Sequence, residues 1–493
     1  MTDREDPATA RAARDAVRVA CGISIGALAL LAWTVAARAT FPYALEWQEA
    51  AMLEHGLRVA GGEGLYVEPS PAFAPFPYPP LFHWVGAAAT GVLGPSLPAL
   101  RVVSILSTVA LLGCVFWVAR RREGSPAGVV AVGLLAASYT FTGQWLDVAR
   151  VDALALALLA ATLLAATSAP ARRGSVRAGA AAGLLACLAV LAKQIALPVA
   201  TALALGLALP ADSRRAGVAM ALVGGVSLVV VGLWLESASG GWFLFTTVDL
   251  LAGSPWHGPA VLGFWVECAV PFVPVLVLLR LGRARPPGRE GLAFALGLAA
   301  LVLVAWVGRA HEGGVRNTLL PAALAGALVT GPAVVRAARV RPMGTVFLVA
   351  AVFGVLLFAY PRAPFPSADD RAEAERLVRR FEALDGPVWQ PHGPVDPGAR
   401  GGVHAMAIND LLKSGEDEVA RRFLDALRSE LDGRRYAGVV LGVEPAEWRD
   451  LDVLWSSYAV AERLDGGASR GEVPLTPPTG ASRRPRVLLL PRE

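Results

Sequence analysis

Charge is scarce in this 493-residue chain: Asp, Glu, Lys and Arg make up 17% of it, against roughly 25% in soluble proteins. That shortage excludes an ordinary soluble domain. Cysteine is scarce too, and Cys21, Cys114, Cys187 and Cys268 all sit inside apolar runs. Such positions suit packing, so neither a disulfide framework nor a thiolate metal site is expected. No zinc-type ligand spacing, internal repeat or low-complexity tract occurs beyond a bias to Ala and Leu. The formal charge of +5 is modest and dispersed in short arginine clusters, which argues against a nucleic-acid surface.

What fills the chain instead is apolar sequence: 55% of residues are hydrophobic and the mean hydropathy is +0.51. The first apolar run, residues 19–37, follows Arg4, Arg11, Arg14 and Arg18. It exceeds the ~7–15 residues of a signal-peptide core, and Ala37-Arg38-Ala39 is a poor cleavage site. The reading is a retained span, with residues 1–18 in the cytoplasm.

Arginine clusters recur at 120–122, 172–177, 214–215, 280–289 and 336–341. If each is cytoplasmic, the apolar sequence between neighbours crosses the bilayer an even number of times. Spans then fall at 19–37, 97–119, 127–141, 153–167, 178–192, 195–209, 217–235, 260–279, 291–307, 318–335 and 345–358. At ~20 apolar residues per crossing this makes about eleven, although the arms at 178–209 are short. Residues 81–93 are also too short to cross and read as an interfacial helix. The fold class predicted is an all-α polytopic membrane bundle over 19–360, with a large first outer loop at 41–96. Residues 361–493, after Pro361, Pro364 and Pro366, read as a small C-terminal extracytoplasmic α/β domain. Its helices are expected at 367–384 and 415–433, and its strands in GPVW, YAGVVL and PRVLLL.

This map gathers the conspicuous polar residues at one rim. Glu46 and Glu49, three apart in the first outer loop, are expected on one helix face, with Glu54 further along. Asp147, Arg150 and Asp152 stand at the start of a span, where an Arg150–Asp152 pair is the plain structural reading. Lys193 breaks an apolar stretch and is placed to snorkel to the interface. Arg309, His311 and Arg316 surround Gly313-Gly314, a cationic turn suited to phosphate. His257 follows the aromatic loop of Trp242, Phe243, Phe245 and Trp256. All six histidines, the others being His55, His83, His392 and His404, fall on the same side as this rim. Tyr66 and Tyr78 of the first outer loop join the candidate substrate contacts. The bland alternative, that loops are polar anyway, applies to every one of these residues singly.

The segments LEWQEAAMLEHGLRVAGGEGLY, FPYPPLFHW, WLDVARVDALAL, LAKQIAL and HEGGVRNTLLP, in that order, resemble the polyprenyl-phosphate-dependent glycosyltransferases of the GT-C superfamily. Family 39 and aminoarabinose-transferase-like members are foremost. The resemblance covers residues 20–360 and implies an inverting transferase with its site on the outer face. It implies a carboxylate after the first span acting on the acceptor, and basic residues holding the phosphate of a polyprenyl-phosphate-linked sugar donor. Glu46 and Glu49 match the acids of an Asp-x-x-Glu-Gly pattern, with Ala50 in place of glycine. Asp147 and Asp152 match the acids of the second outer loop. Lys193-Gln194 matches a Lys-Gln pair, and Gly313, Gly314 and Asn317 match a Gly-Gly-x-x-Asn turn.

The chemistry asks for the same groups. An attacking hydroxyl needs a base, and a departing phosphodiester needs its charge offset. The candidates are therefore Glu46 or Glu49 as base, Asp147 and Asp152 as supporting acids, and Lys193, Arg309 and Arg316 near the phosphate. Arg150, His257, His311, Asn317, Tyr66 and Tyr78 serve as further substrate contacts. No cofactor is fixed, and a divalent cation is left open. Membrane lipids and the lipid-linked donor are the expected partners, and the acceptor is unspecified. Two rivals stand: a transporter or flippase of a lipid-linked sugar, which favours inverted repeats and broken helices, and a non-enzymatic assembly protein with an external binding tail.

Overall fold

Apolar sequence with few charges can satisfy its backbone inside lipid only as helix or closed barrel, and here it forms helices. The computed structural model describes residues 7–253, 255–282, 291–358, 365–399, 401–413, 417–443, 456–464, 479 and 484–492. In chain order the helices of the apolar part are α1 (Pro7–Ala39), α2 (Glu49–Ala60), α3 (Leu81–Leu93), α4 (Leu97–Ala137), α5 (Val151–Ala166), α6 (Ala169–Arg172), α7 (Val176–Ala192), α8 (Ala196–Ala208) and α9 (Arg214–Ser239). There follow α10 (Trp242–Leu244), a π turn at Phe245–Asp249, α11 (Leu250–Ala252), α12 (Gly258–Leu281), α13 (Leu292–Ala310), α14 (Leu320–Val340) and α15 (Pro342–Leu357).

Five of these helices are long and apolar enough to cross a membrane, and α12, bent by 55° between its two halves, makes a sixth. Each of the eleven segments singled out by hydropathy is helical over most of its length. Several are short: α8 has 13 residues, or about 20 Å at ~1.5 Å per residue, against ~30 Å of hydrocarbon. The long element α4 holds two of the segments. Its backbone breaks at Glu123 and at Gly124, whose φ of +79° suits glycine, so the chain reverses there at an arginine cluster. The residues 178–209 form two helices, separated by Lys193 in an extended conformation.

Small residues allow these helices to approach closely. A Cβ on Gly179 would lie 2.1 Å from Ala216 O, and one on Gly183 would lie 2.6 Å from Met220 O, so α7 and α9 meet backbone to backbone. The other side of α9 presents Leu222, Val226, Val229, Leu233 and Trp234 outward, an apolar surface fit for lipid.

Among its described residues the tail has a mixed four-stranded sheet and three helices. The strands β1 (Val388–Trp389), β2 (Gly438–Leu441), β3 (Tyr458–Arg463) and β4 (Val487–Pro491) lie in the order β1-β2-β4-β3, with β1 parallel to β2 and the rest antiparallel. The helices are α16 (Ala368–Glu382), opened by a Ser367–Asp370 capping box, α17 (Ala405–Lys413) and α18 (Asp417–Asp432). The sequence expectation lacked α17 and β3. Of the expected linker, Pro361 and Pro364 lie outside the described residues, as do arginines 283–289 of one cluster. The tail does not stand apart from the membrane part. Ile408 and Leu411 of α17, Phe423 and Leu427 of α18, and Trp389 share one core with Met52, Leu53, Phe76, Phe82, Leu100 and Leu250.

Candidate active site

A charge buried beside lipid needs a partner of opposite sign. Four such pairs converge where the first outer loop, the loop before α5, the α7–α8 turn and the start of α14 meet. The loop of residues 138–150 is almost wholly buried, and Gln144 takes a left-handed φ of 66° within it. Its side-chain oxygen accepts from Arg38 Nη1 at 2.8 Å. Arg38 also donates to both oxygens of Asp147, at 2.7 and 3.3 Å, and Tyr139 Oη donates to Asp147 Oδ1 at 2.7 Å. Both oxygens of Asp147 are thus partnered within the protein. The residue props the end of α1 against this loop and presents nothing to a ligand.

Glu46 and Glu49 do not share a helix face, contrary to expectation. Glu46 precedes α2 in an irregular turn and Glu49 opens the helix, so the two carboxylates diverge to different arginines. Glu49 accepts from Arg101 Nε and Nη2 at 2.9 and 2.6 Å, from Ala149 N at 2.7 Å and from Leu45 N at 2.6 Å. Burial opposes its charge, but Arg101 and these amides outweigh burial and hold the carboxyl below the ordinary glutamate range. With four donors, Glu49 has no acceptor capacity left for a substrate proton.

Glu46 is as buried but less satisfied. Its Oε2 accepts from Gln48 N and from Arg150 Nη1, both at 3.0 Å, while Oε1 has no partner. Burial pushes this carboxyl up to about 7, with Arg150 opposing and Glu49 adding. Arg150 is the hub: it donates to Glu46, to Gln48 Oε1 and, at 2.7 Å, to Tyr78 Oη, while its Nε is unpaired.

Asp152 pairs with Lys193 and not with Arg150, so the plain structural reading of that stretch does not hold. Its Oδ1 accepts from Lys193 Nζ at 2.6 Å and from Asn317 Nδ2 at 3.0 Å, and its Oδ2 is buried without a partner. Three turns far apart in sequence therefore meet on one carboxylate. Gln194, next to Lys193, donates to Pro77 O and Thr247 O and ties the first outer loop to the π turn.

Other candidates lie elsewhere. Arg309 and Arg316 both turn to Glu267 of α12, at 3.2 and 3.4 Å, and Arg309 Nη1 also donates to Gly314 O. They form a second cationic cluster, joined to the first through Asn317. His311 packs against Trp256 at 4.4 Å, and the His257 amide bonds to Ala310 O, so both histidines belong to the short bridge between those loops. Tyr66 gives its hydroxyl to Tyr78 O and its ring to Phe243, away from the carboxylates.

Sequence reasoning missed Arg38, Arg101, Gln48 and Glu267. Their signal was present: Arg101 and Glu267 are single charges within apolar segments, a marked rarity in lipid. It also missed α17, which touches Gln48, two residues from Glu46. Met406 accepts from Gln48 Nε2, and His404 packs at a tilt on Trp47 at 4.7 Å and meets Phe76 edge-on at 5.2 Å. Asp410 of the same helix is half-buried, and desolvation raises its carboxyl to about 7 with Lys413 opposing, while its charge reaches Tyr78. Among the described residues no three His, Cys, Asp or Glu stand close enough to hold a metal ion.

Residues 77–235 match the family model described as dolichyl-phosphate-mannose-protein mannosyltransferase. No curated protein sequence matches the chain significantly. Among solved structures, ArnT from Cupriavidus metallidurans in the apo state superposes with a TM-score of 0.58 at 14% identity, over 95% of this chain and 97% of that one. The same enzyme bound to undecaprenyl phosphate gives 0.57 at 13% identity over the same shares. The apo oligosaccharyltransferase of Archaeoglobus fulgidus gives 0.55 at 11%, over 94% of this chain and 75% of that one. The matched stretch carries Tyr78, Arg101, Asp147, Arg150, Asp152 and Lys193, and over nearly its whole length the chain shares the fold of ArnT.

Proposed function

We propose that this protein is an inverting glycosyltransferase that moves a sugar from a polyprenyl-phosphate-linked donor to an acceptor hydroxyl. The carrying observation is the unpartnered, buried Oε1 of Glu46, on a carboxyl poised at about 7 beside Arg150. A general base works best with its pKa near the working pH. Glu46 takes the hydroxyl proton as the acceptor oxygen bonds to the anomeric carbon. The bond from that carbon to the phosphate oxygen breaks, and the lipid phosphate leaves with the electron pair. Lys193 has three ammonium hydrogens and one recorded carboxylate partner, so it has donors to spare for that phosphate. Arg150 adds charge, and Arg309 and Arg316 stand one step further out. Asp152 and Asn317 hold Lys193 in place.

The orientation proposed keeps the arginine clusters and residues 1–18 in the cytoplasm, by the positive-inside rule. About eleven crossings then put the Glu46 site and the tail outside. A lipid-linked donor suits this arrangement because its isoprenoid tail stays in the bilayer while its headgroup reaches the rim. The undecaprenyl phosphate held by ArnT supports that partner.

The test is purified protein in nanodiscs given a panel of synthetic polyprenyl-phosphate sugars and acceptors. Consumption of a donor, lost in Glu46→Gln while the protein stays folded, supports the reading. Full turnover by Glu46→Gln sinks the assignment of the base. Movement of the donor between leaflets without turnover favours the transporter instead.

A further inference from the structure

One cavity lies away from the Glu46 rim. It measures about 600 Å³ and lies at the opposite end of the same helices, lined by Arg121, Arg122, Arg172, Thr167, Ser168 and Phe294, with apolar groups beside them. The helix α5 starts at the carboxylate site and its C-cap, Thr167, lines this cavity. The fifteen steps from Asp152 to Thr167 span about 22 Å at ~1.5 Å per residue.

Arginines at this end would satisfy the orientation rule by pointing into solvent. These do otherwise. The Arg122 guanidinium sits over the Phe294 ring, 3.5 Å from its centroid, where a cation–π contact fixes it. Arg121 is tethered from Nη1 to Leu164 O at 2.9 Å. Neither has a carboxylate partner among the described residues. Glu123, next in the chain, is drawn to Arg336 and Arg339, both at 3.3 Å. Arg122 instead feels the like charges of Arg336 and Arg172. Repulsion among held cations is relieved by an anion, and a guanidinium binds a phosphate through two parallel donors. The apolar flank, Val118, Pro170 and Phe294, suits the start of an acyl chain. Basic pockets between helices at the cytoplasmic side are where anionic headgroups settle.

We propose that this cavity is a binding site for a phosphate-bearing anion, held by Arg121 and Arg122 from α4 with Arg172 across the cavity. The anion is the headgroup of an anionic phospholipid or a free phosphate. The inference rests on the orientation proposed above but uses no residue of the Glu46 rim, so a failed transferase assay leaves it standing.

The experiment uses the full chain in detergent, titrated separately with phosphatidylglycerol, phosphatidylcholine and inorganic phosphate. Binding is followed by native mass spectrometry and by thermal unfolding. The expected result is saturable binding of phosphatidylglycerol over phosphatidylcholine with a raised Tm. Arg121→Gln/Arg122→Gln weakens it at least tenfold. Arg214→Gln/Arg215→Gln removes the same charge from the same rim and leaves it intact. Competition by millimolar phosphate assigns the site to the free anion, and indifference to phosphate assigns it to the lipid. Equal retention by both double variants, or no preference over phosphatidylcholine, overturns the proposal. If the first double variant does not fold, Arg122→Lys keeps the charge but loses the fork and must still weaken binding. Unchanged affinity in that variant also overturns the proposal.

Discussion

At the scale of single residues, two glutamates three positions apart have opposite environments. Glu49 is saturated by Arg101 and two amides, and Glu46 keeps one oxygen unspent. Removing one partner of a buried, hydrogen-bonded pair leaves the other charge stranded, at a cost of about 3–5 kcal/mol. Arg101→Gln is therefore expected to lower the unfolding temperature sharply in detergent, with activity lost as a consequence of misfolding. Glu46→Gln should do the reverse. The fold holds, since Gln still accepts from Arg150, while turnover falls by about 10²–10⁴. The wild-type pH profile provides the complementary check. Because burial raises the Glu46 carboxyl to about 7, the base is protonated below that pH. The rate should thus fall as pH drops through about 7 and level off above it, and a flat profile between pH 5 and 8 would remove Glu46 from the base role.

At the scale of elements, α17 is the piece whose position matters most. Its nine residues put Ile408 and Leu411 into the core shared with α2 and α3, and bring Met406 and Asp410 down over Gln48 and Tyr78. Ile408→Ala should cost about 2–5 kcal/mol by the usual large-to-small penalty in a core. Loosening the helix in this way is expected to raise KM for the acceptor or lower kcat while Glu46 and Arg150 are untouched. Kinetics indistinguishable from wild type, with a lowered Tm, would reduce α17 to packing. Its absence from the sequence reading has a physical reason. The segment AMAINDLLK is short and flanked by glycines, and its amphipathicity has meaning only once the first outer loop supplies the opposing face.

At the scale of the whole molecule, membrane part and tail form one folding problem. The core that runs from Met52 and Phe82 through Trp389 and Ile408 to Val487 crosses the presumed domain boundary. Thr479 adds a polar clip, accepting from Arg38 Nη2 at 2.9 Å while its amide bonds to Leu45 O. Deleting residues 365–493 should therefore not yield a well-behaved membrane domain. It is expected to aggregate or to lose thermal stability, and a truncated protein with unchanged Tm and activity would show the tail to be dispensable.

The amino-acid sequence alone determined the helical segments, because about 20 apolar residues in lipid have few alternatives to a helix. It also determined that Asp152, Lys193 and Asn317 belong to one rim, since charge is excluded from the bilayer and their apolar flanks leave them at span ends. It did not determine which acid has a free oxygen, that Arg150 turns to Glu46 rather than Asp152, or that Arg309 and Arg316 turn to Glu267. Those are choices among partners of opposite charge. Periodicity carries no record of them, because each depends on where helices distant in sequence come to rest, and only the packed structure settles that.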